Sequence, residues 1–322
     1  MKSYRIDIKP LGRWGSLLTA DTFFGHLCWA MRLTRGESAV QEFLACYDSG
    51  EAPLVLSDGL PAGFLPRPIL QPAERTTAEI SPEQYKAIKK VPYISVGGFE
   101  KLRGALKEAD VLKVLAQESE ERVFHGNSQV REGLLPWIEE ATWHCTIDRG
   151  IGSVLKQGGL YQTEDFLFGT DVRFNVFVRL SDFDIQTLLE LVEFVGMSGY
   201  GRDASVGLGR FSVESFAEFA FPRIPDANAF MALSNFVPSP KDPVHGWYDL
   251  TVKFGKLGGP YSLGPTEKAA HCPFKKPLVM LKAGSVFFDN PVQEWYGRVV
   301  SNVHFDSRIR HYGICYALEV RV

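Results

Sequence analysis

Residues 181–211 read SDFDIQTLLELVEFVGMSGYGRDASVGLGRF, and the change in texture halfway along this stretch decides the fold. Ile185, Leu188, Leu189, Val192 and Val195 recur at three- and four-residue spacing, which gives a helix one broad apolar face. Ser181 or Asp182 is placed to cap its start. Beyond it, Gly196, Gly199, Gly201, Gly207 and Gly209 are interleaved with Tyr200, Arg202, Asp203, Ser205 and Arg210, ahead of a strand-like Phe211. Glycines at that density weaken any regular element, so the spacing predicts tight turns or a close approach of backbone to something else. A loop of exposed amides with two arginines suits a phosphate chain. Neither G-x-x-x-x-G-K-[ST] nor G-x-G-x-x-G precedes a helix here, so nucleotide-cofactor folds are not indicated.

Upstream of the helix, Val172, Phe174, Val176, Val178 and Leu180 alternate with Arg173, Asn175, Phe177 and Arg179 and predict a strand. Strand, helix, glycine loop and the strand at Phe211 make a β-α-β unit. At the other end of the chain Tyr4, Ile6 and Ile8 alternate with charged residues, a basic loop follows with Arg13 and Trp14, and a helix begins near Thr19 or Asp21. A second helix is expected from Ser38, with Gln41 completing a capping box. Residues 142–148, TWHCTID, read as a strand, and Leu160–Phe168 is expected to return antiparallel to it as a long arm. Ser81-Pro82 opens a short helix, and Leu102–Leu115 has helical spacing. Tyr312, Ile314, Tyr316, Leu318, Val320 and Val322 form a last alternating strand. Strand-helix-strand units with antiparallel arms predict an α+β fold of two modified ferredoxin-like (RRM-like) domains with insertions and an extended β-hairpin arm. The expected division is 1–150, with a helical and irregular insertion, and 151–322, with the glycine-rich loop.

The 322 residues are 45% hydrophobic and 23% charged with a net charge of −3, an ordinary balance for a folded protein. Nucleic-acid binding then requires that the positive groups be gathered on one surface. Cys28, Cys46, Cys145, Cys272 and Cys315 are dispersed and form no C-x-x-C pair, which argues for a reducing compartment and against a thiolate zinc site. No apolar run is long enough to cross a bilayer, and a cytoplasmic protein is expected. Seven histidines include no H-E-x-x-H, and the aspartates are too scattered for a two-metal nuclease centre. His26 as a general base for RNA cleavage would need a positioned hydroxyl and a second proton donor. The expectation is therefore binding without catalysis, metal or cofactor. The basic and aromatic candidates are Arg13, Trp14, Arg32, Arg67, Arg149, Lys156, Arg173, Tyr200, Arg202 and Arg210, because arginine forks onto phosphate and an aromatic ring stacks on an unpaired base.

Three segments carry a resemblance: LGRWGSLLTADTFFGHLCWAMR from Leu11 to Arg32, HCTIDRGIGSVLKQGGLYQTEDF from His144 to Phe166, and GYGRDASVGLGRF from Gly199 to Phe211. Together they resemble the Csm-type fourth subunit of type III-A CRISPR effector complexes, of the RAMP superfamily. The resemblance implies a non-catalytic cap that holds the 5′ repeat-derived tag of the CRISPR RNA (crRNA). It further implies contacts to the large polymerase/nuclease subunit and to the backbone subunit, with the arm near the target RNA. By motif position Gly207 and Gly209 lie near RNA, and the Asp21–His26 motif falls on the first helix. The expected RNA-binding set is Arg13, Trp14, His26, Arg149, Tyr200, Arg202, Ser205, Gly207, Gly209 and Arg210. The Cmr-type paralogue with the same capping role, a repeat-RNA endonuclease and a metabolic α+β protein without RNA contact are the alternatives.

Overall fold

The computed structural model describes residues 1–72, 82–121, 135–155, 157, 159–262 and 272–322. Lys156, Gly158, the Ser81 helix start, His125 and His271 lie outside the described residues. The first sheet is built from β1 (Lys2–Pro10), β2 (Leu54–Leu56), β5 (Phe174–Leu180) and β6 (Phe211–Glu218), in the order β6-β1-β5-β2. All its pairings are antiparallel, with Ile6 opposite Val176 on one side and Phe216 on the other. The alternating residues of β1 and β5 are what the sheet buries: Ile6, Ile8, Val176 and Val178 have no exposed surface. Helix α1 (Ala20–Arg35) connects β1 to β2, followed by α2 (Glu37–Asp48), and α3 (Ile185–Ser198) connects β5 to β6. A β-α-β-β-α-β chain whose fourth strand pairs the first, and whose third separates the first from the second, is the ferredoxin-like arrangement.

The second sheet repeats that order with far less helix. Strands β7 (Ala229–Ala232), β8 (Gly246–Trp247), β11 (Val286–Phe288) and β13 (Ile314–Val320) lie in the order β8-β11-β7-β13, and β12 (Trp295–Gly297) extends the edge beyond β13. Neither the 233–245 nor the 289–313 connection contains a helix. The face that helices would cover is covered by the first lobe. Ala229, Met231, Val286, Leu318 and Val320 belong to the core shared with the first sheet, whereas the alternating Phe230, Ala232, Phe287, Cys315 and Ala317 form a separate cluster with Tyr296. The chain is an α+β fold of two ferredoxin-like lobes with inserted strands.

Both lobes carry their insertion between the second and third strands. In the second it is the pair β9 (Leu250–Lys253) and β10 (Leu278–Leu281). In the first it includes the arm, β3 (Trp137–Cys145) paired along its length with β4 (Leu160–Phe168), ending in a small ladder of Ile147–Asp148 with Ser153–Val154. A division at residue 150 falls in the tip of this arm, and the sheets divide instead between Glu218 and Ala229. The glycine-rich loop accordingly belongs to the first lobe, because β1 pairs with strands about two hundred residues downstream. Local expectations shift as well. Asp184, not Ser181 or Asp182, caps α3 by accepting from the Thr187 N–H at 2.7 Å. Helix α2 starts at Glu37 after Gly36 with no side-chain cap, and the expected 102–115 helix is two, Val96–Leu102 and Glu108–Glu121.

Candidate nucleic-acid interface

The chain leaves α3 through Gly199 (φ 94°) and folds back through Gly201 (φ 76°), Asp203 (φ 60°), Gly207 (φ 99°) and Gly209 (φ 75°). Left-handed backbone costs an L side chain about 1–2 kcal/mol, so glycine recurs where the turn needs it. The neck is fixed by Tyr200, whose N–H donates to the Gly209 carbonyl at 2.9 Å. Its hydroxyl donates to the Leu17 carbonyl at 3.0 Å and accepts from the Thr19 N–H at 2.9 Å. The loop is also bound to the segment after β1: the Leu11 N–H donates to Arg210 and the Gly209 N–H to Arg13, both at 2.9 Å. Two aromatic expectations are corrected here. The rings of Trp14 and Tyr200 have no exposed surface, so neither presents a face on which a base could stack. Trp14 packs on Phe168 and Phe174, and its indole N–H donates to the Arg210 carbonyl at 3.2 Å.

His26 and Arg202 are likewise engaged. His26 Nε2 accepts the Gly201 N–H at 2.9 Å, and burial pushes its pKa down to about 4, so the ring is neutral with that nitrogen committed. A general base needs a free lone pair aimed at a substrate proton; this one faces a loop amide. Arg202 donates from its backbone N–H to Ser16 Oγ at 3.2 Å and from Nε to the Gly15 carbonyl at 3.1 Å. Its other end reaches the arm, at the Glu164 carbonyl and at the Asp165 carboxylate, 3.1 Å away. Trp14 and Phe166 exchange backbone hydrogen bonds of 3.1 and 2.8 Å at the same place, and Arg13 pairs with Glu140 of β3 at 2.7 Å. Basic loop, first helix, glycine loop and arm root are thus held as one unit.

What this unit presents outward is the run from Arg202 to Gly207 together with Arg13 and Arg210. Part of the expected array of exposed amides is committed: the N–H groups of Val206, Gly207 and Leu208 donate within the loop, and side chains such as Ser205, Arg13 and Arg210 stand beside the rest. Arg149 stands apart at the arm tip. Among the described residues neither Arg149 nor Arg210 has an ion pair, whereas Arg67 and Arg173 are held by Glu108 and Glu214. On the arm, His144 stacks on Tyr161 with centroids 5.2 Å apart and its Nε2 meets Thr163 Oγ1 at 2.9 Å.

One polar cluster had no sequence signal. Asp21 is buried and pairs with Lys253 Nζ at 2.9 Å, with His311 Nε2 at 3.7 Å. Burial opposes ionisation of Asp21, but Lys253 and His311 hold its pKa below the usual value. Asp58 accepts the Ala20 N–H at 2.7 Å and so caps α1, a task that Thr19 does not perform with its side chain. Burial raises the Asp58 pKa to about 7. These partners are separated by up to almost three hundred residues, beyond the reach of any spacing rule. No group of three or more histidine, cysteine, aspartate or glutamate residues that could hold a metal occurs among the described residues, and none of the described helices is long and apolar enough to cross a membrane.

No protein-family model and no curated protein matches the chain. Solved structures do. A chain of the Csm1–Csm4 cassette in complex with cA4 matches with a TM-score of 0.60 at 19% identity, covering 100% of this chain and 99% of that one. A chain of the same cassette with AMPPNP gives 0.59 at 18%, with the same coverage. A chain of the Csm3–Csm4 subcomplex of the type III-A CRISPR-Cas interference complex gives 0.61 at 14%, again over 100% and 99%. At these identities the likeness is one of fold, and it runs the full length of this chain.

Proposed function

We propose that this chain is a non-catalytic, crRNA-binding subunit of a type III-A CRISPR effector complex. In this role it holds the 5′ repeat-derived tag on the glycine-loop ledge and bridges the large polymerase/nuclease subunit to the backbone subunit, with its arm toward the target RNA. The observation that carries this reading is convergence. The three segments that bear the family resemblance are more than a hundred residues apart in places, yet Gly15, His26, Asp165, Phe166, Gly201 and Arg202 meet at one ledge. Csm4 is the component common to the Csm1–Csm4 and Csm3–Csm4 assemblies whose chains share the fold. Arg13, Arg149 and Arg210 supply phosphate contacts, which position RNA without reading its sequence.

Fluorescence anisotropy with a labelled tag RNA, read at several salt concentrations, tests the ledge. Arg13→Ala and Arg210→Ala together should weaken binding and flatten the salt dependence by about 0.7 for each phosphate of a single strand that is no longer neutralised. A folded double variant that binds the tag with wild-type affinity and slope would overturn the proposal. So would cleavage of the RNA by wild-type protein that disappears in His26→Ala.

A further inference from the structure

A half-open cavity of about 140 Å³ lies between α1, α2 and the segments around Leu257–Tyr261 and Arg308–Tyr312. Its size is informative, because a cavity of about 150 Å³ is enough for one benzene ring. Trp29 and Tyr261 line it with ring centroids 5.9 Å apart, and the Arg32 guanidinium lies 5.1 Å from the first ring and 5.8 Å from the second. Phe24, Val40, Leu44 and Leu257 give apolar sides. The remaining lining is polar and of both signs: the buried Asp21 carboxylate, Lys275, whose Nζ donates to the Arg310 carbonyl at 2.7 Å, and Glu37. Glu37 Oε2 is buried 2.7 Å from Arg32 Nε but accepts no hydrogen bond. Beyond its ion pair with Arg32 the carboxylate keeps lone pairs that a ligand N–H or O–H can use.

These features discriminate among ligands. The lining sets the Asp21 and Glu37 carboxylates against Arg32, Lys275, Arg308 and Arg310, so a group that both donates and accepts at its edge meets partners of both signs, which an aliphatic or purely anionic group would not use. A flat ring with donors and acceptors on its edge satisfies both the aromatic walls and the polar end. We infer that the cavity takes one nucleobase, stacked along Trp29 and Tyr261 with its polar edge toward Asp21, Glu37 and Lys275, and its sugar-phosphate at the mouth beside Arg308. Helix α1 joins this pocket to the ledge. His26 holds the glycine loop through Gly201, and Gly25 and Trp29 of the same helix line the cavity. His26 and Trp29 differ by only about 4.5 Å along the helix axis at 1.5 Å per residue. The pocket depends on the RNA-binding reading only for the source of the base, which is either turned out of a strand crossing the ledge or carried by a free nucleotide.

Calorimetric titration of the full chain with the four nucleoside 5′-monophosphates, and with single-stranded homo-oligoribonucleotides of the same bases, tests the pocket. Two variants report on it. Trp29→Ala removes one wall, and Gly25→Leu fills the cavity from a helical position where a Cβ meets nothing within 4 Å, so the plugged protein should melt no lower than wild type. Each is expected to weaken binding of at least one probe by about 5- to 150-fold, the range for loss of one stacked base. Loss already seen with a monophosphate assigns the site to a free nucleotide, and loss seen with oligomers alone assigns it to a base delivered by the strand; both uphold the pocket. Absence of binding by every probe, or unchanged affinities in folded Gly25→Leu, would overturn it. The Arg13 and Arg210 double variant separates this outcome from failure of the ledge. Oligomer binding abolished there but kept in Gly25→Leu leaves the ledge standing without the pocket, whereas monophosphate binding abolished only in Gly25→Leu does the reverse.

Discussion

Gly207 and Gly209 have similar left-handed backbones and different surroundings. A Cβ at Gly209 would overlap the Tyr200 backbone, whereas at Gly207 nothing lies within 4 Å. Gly209→Ala is therefore expected to cost more than the conformational penalty alone, on the order of 3 kcal/mol or more, by urea denaturation. Gly207→Ala should cost about 1 kcal/mol and leave a folded protein in which RNA affinity can be compared directly. His26 gives a pH signature. Its folded pKa is depressed from 6.5 to about 4, so its contribution to stability is complete above pH 6.5 and is lost as pH falls toward 4, where the unfolded chain binds the proton first. His26→Gln keeps an acceptor for Gly201 but cannot titrate, and its stability should fall less steeply than wild type across that window. An identical acid limb in the two proteins would mean that His26 titrates alike in the folded and unfolded chains. At this scale the sequence located the loop and its glycines correctly but misread Trp14 and Tyr200. An aromatic residue beside arginines looks the same in one dimension whether it faces solvent or fills a core, and only the packing of Phe168, Phe174 and Phe211 around Trp14 decides between them.

At the level of the element, Arg202 is a latch on the arm before it is anything to an RNA. It bridges Gly15, Glu164 and Asp165, and Asp165 is almost fully buried. Asp165→Asn should cost on the order of 1 kcal/mol, since the arginine is partly solvated and the pair is screened accordingly. Amide hydrogen exchange at residues 163–168 should quicken while the sheet core stays protected. Uniform acceleration over the whole chain would show instead that the arm root is part of the global core. The arm itself was legible as two antiparallel strands, although its tip turns at residues 149–152, and α3 from its 3.6-residue periodicity. Its cap was displaced because Asp184 competes with Ser181 and Asp182, and only the observed backbone turn at Asp184 selects among three oxygen-bearing side chains so close together.

Across the whole molecule, the two lobes share one core face, so they should unfold together. Leu318→Ala, on that face, is expected to cost about 2–5 kcal/mol and to shift a single transition seen alike by tryptophan fluorescence and far-UV circular dichroism. Two separated transitions would mean that the second sheet holds together without the first. The two-lobed α+β fold was legible from strand and helix patterns. The border between lobes was not, since it is set by the pairing of β1 with β5 and β6, and loop closure over such distances leaves no local mark on composition. The pairing of Asp21 with Lys253 and His311 escaped notice for the same reason.

The arm is fastened to its lobe at the root, through Arg13, Trp14 and Arg202, and its two sides run in unbroken register from Trp137–Phe168 to Cys145–Leu160. Its reach is therefore adjustable without touching the sheet. Deleting two residues from each side would shorten it by about 7 Å and return every remaining side chain to its own face. Deleting one from each would keep the ladder closed while exchanging inner for outer faces beyond the cut. Related chains can differ in arm length, but steps of two are the ones this architecture absorbs.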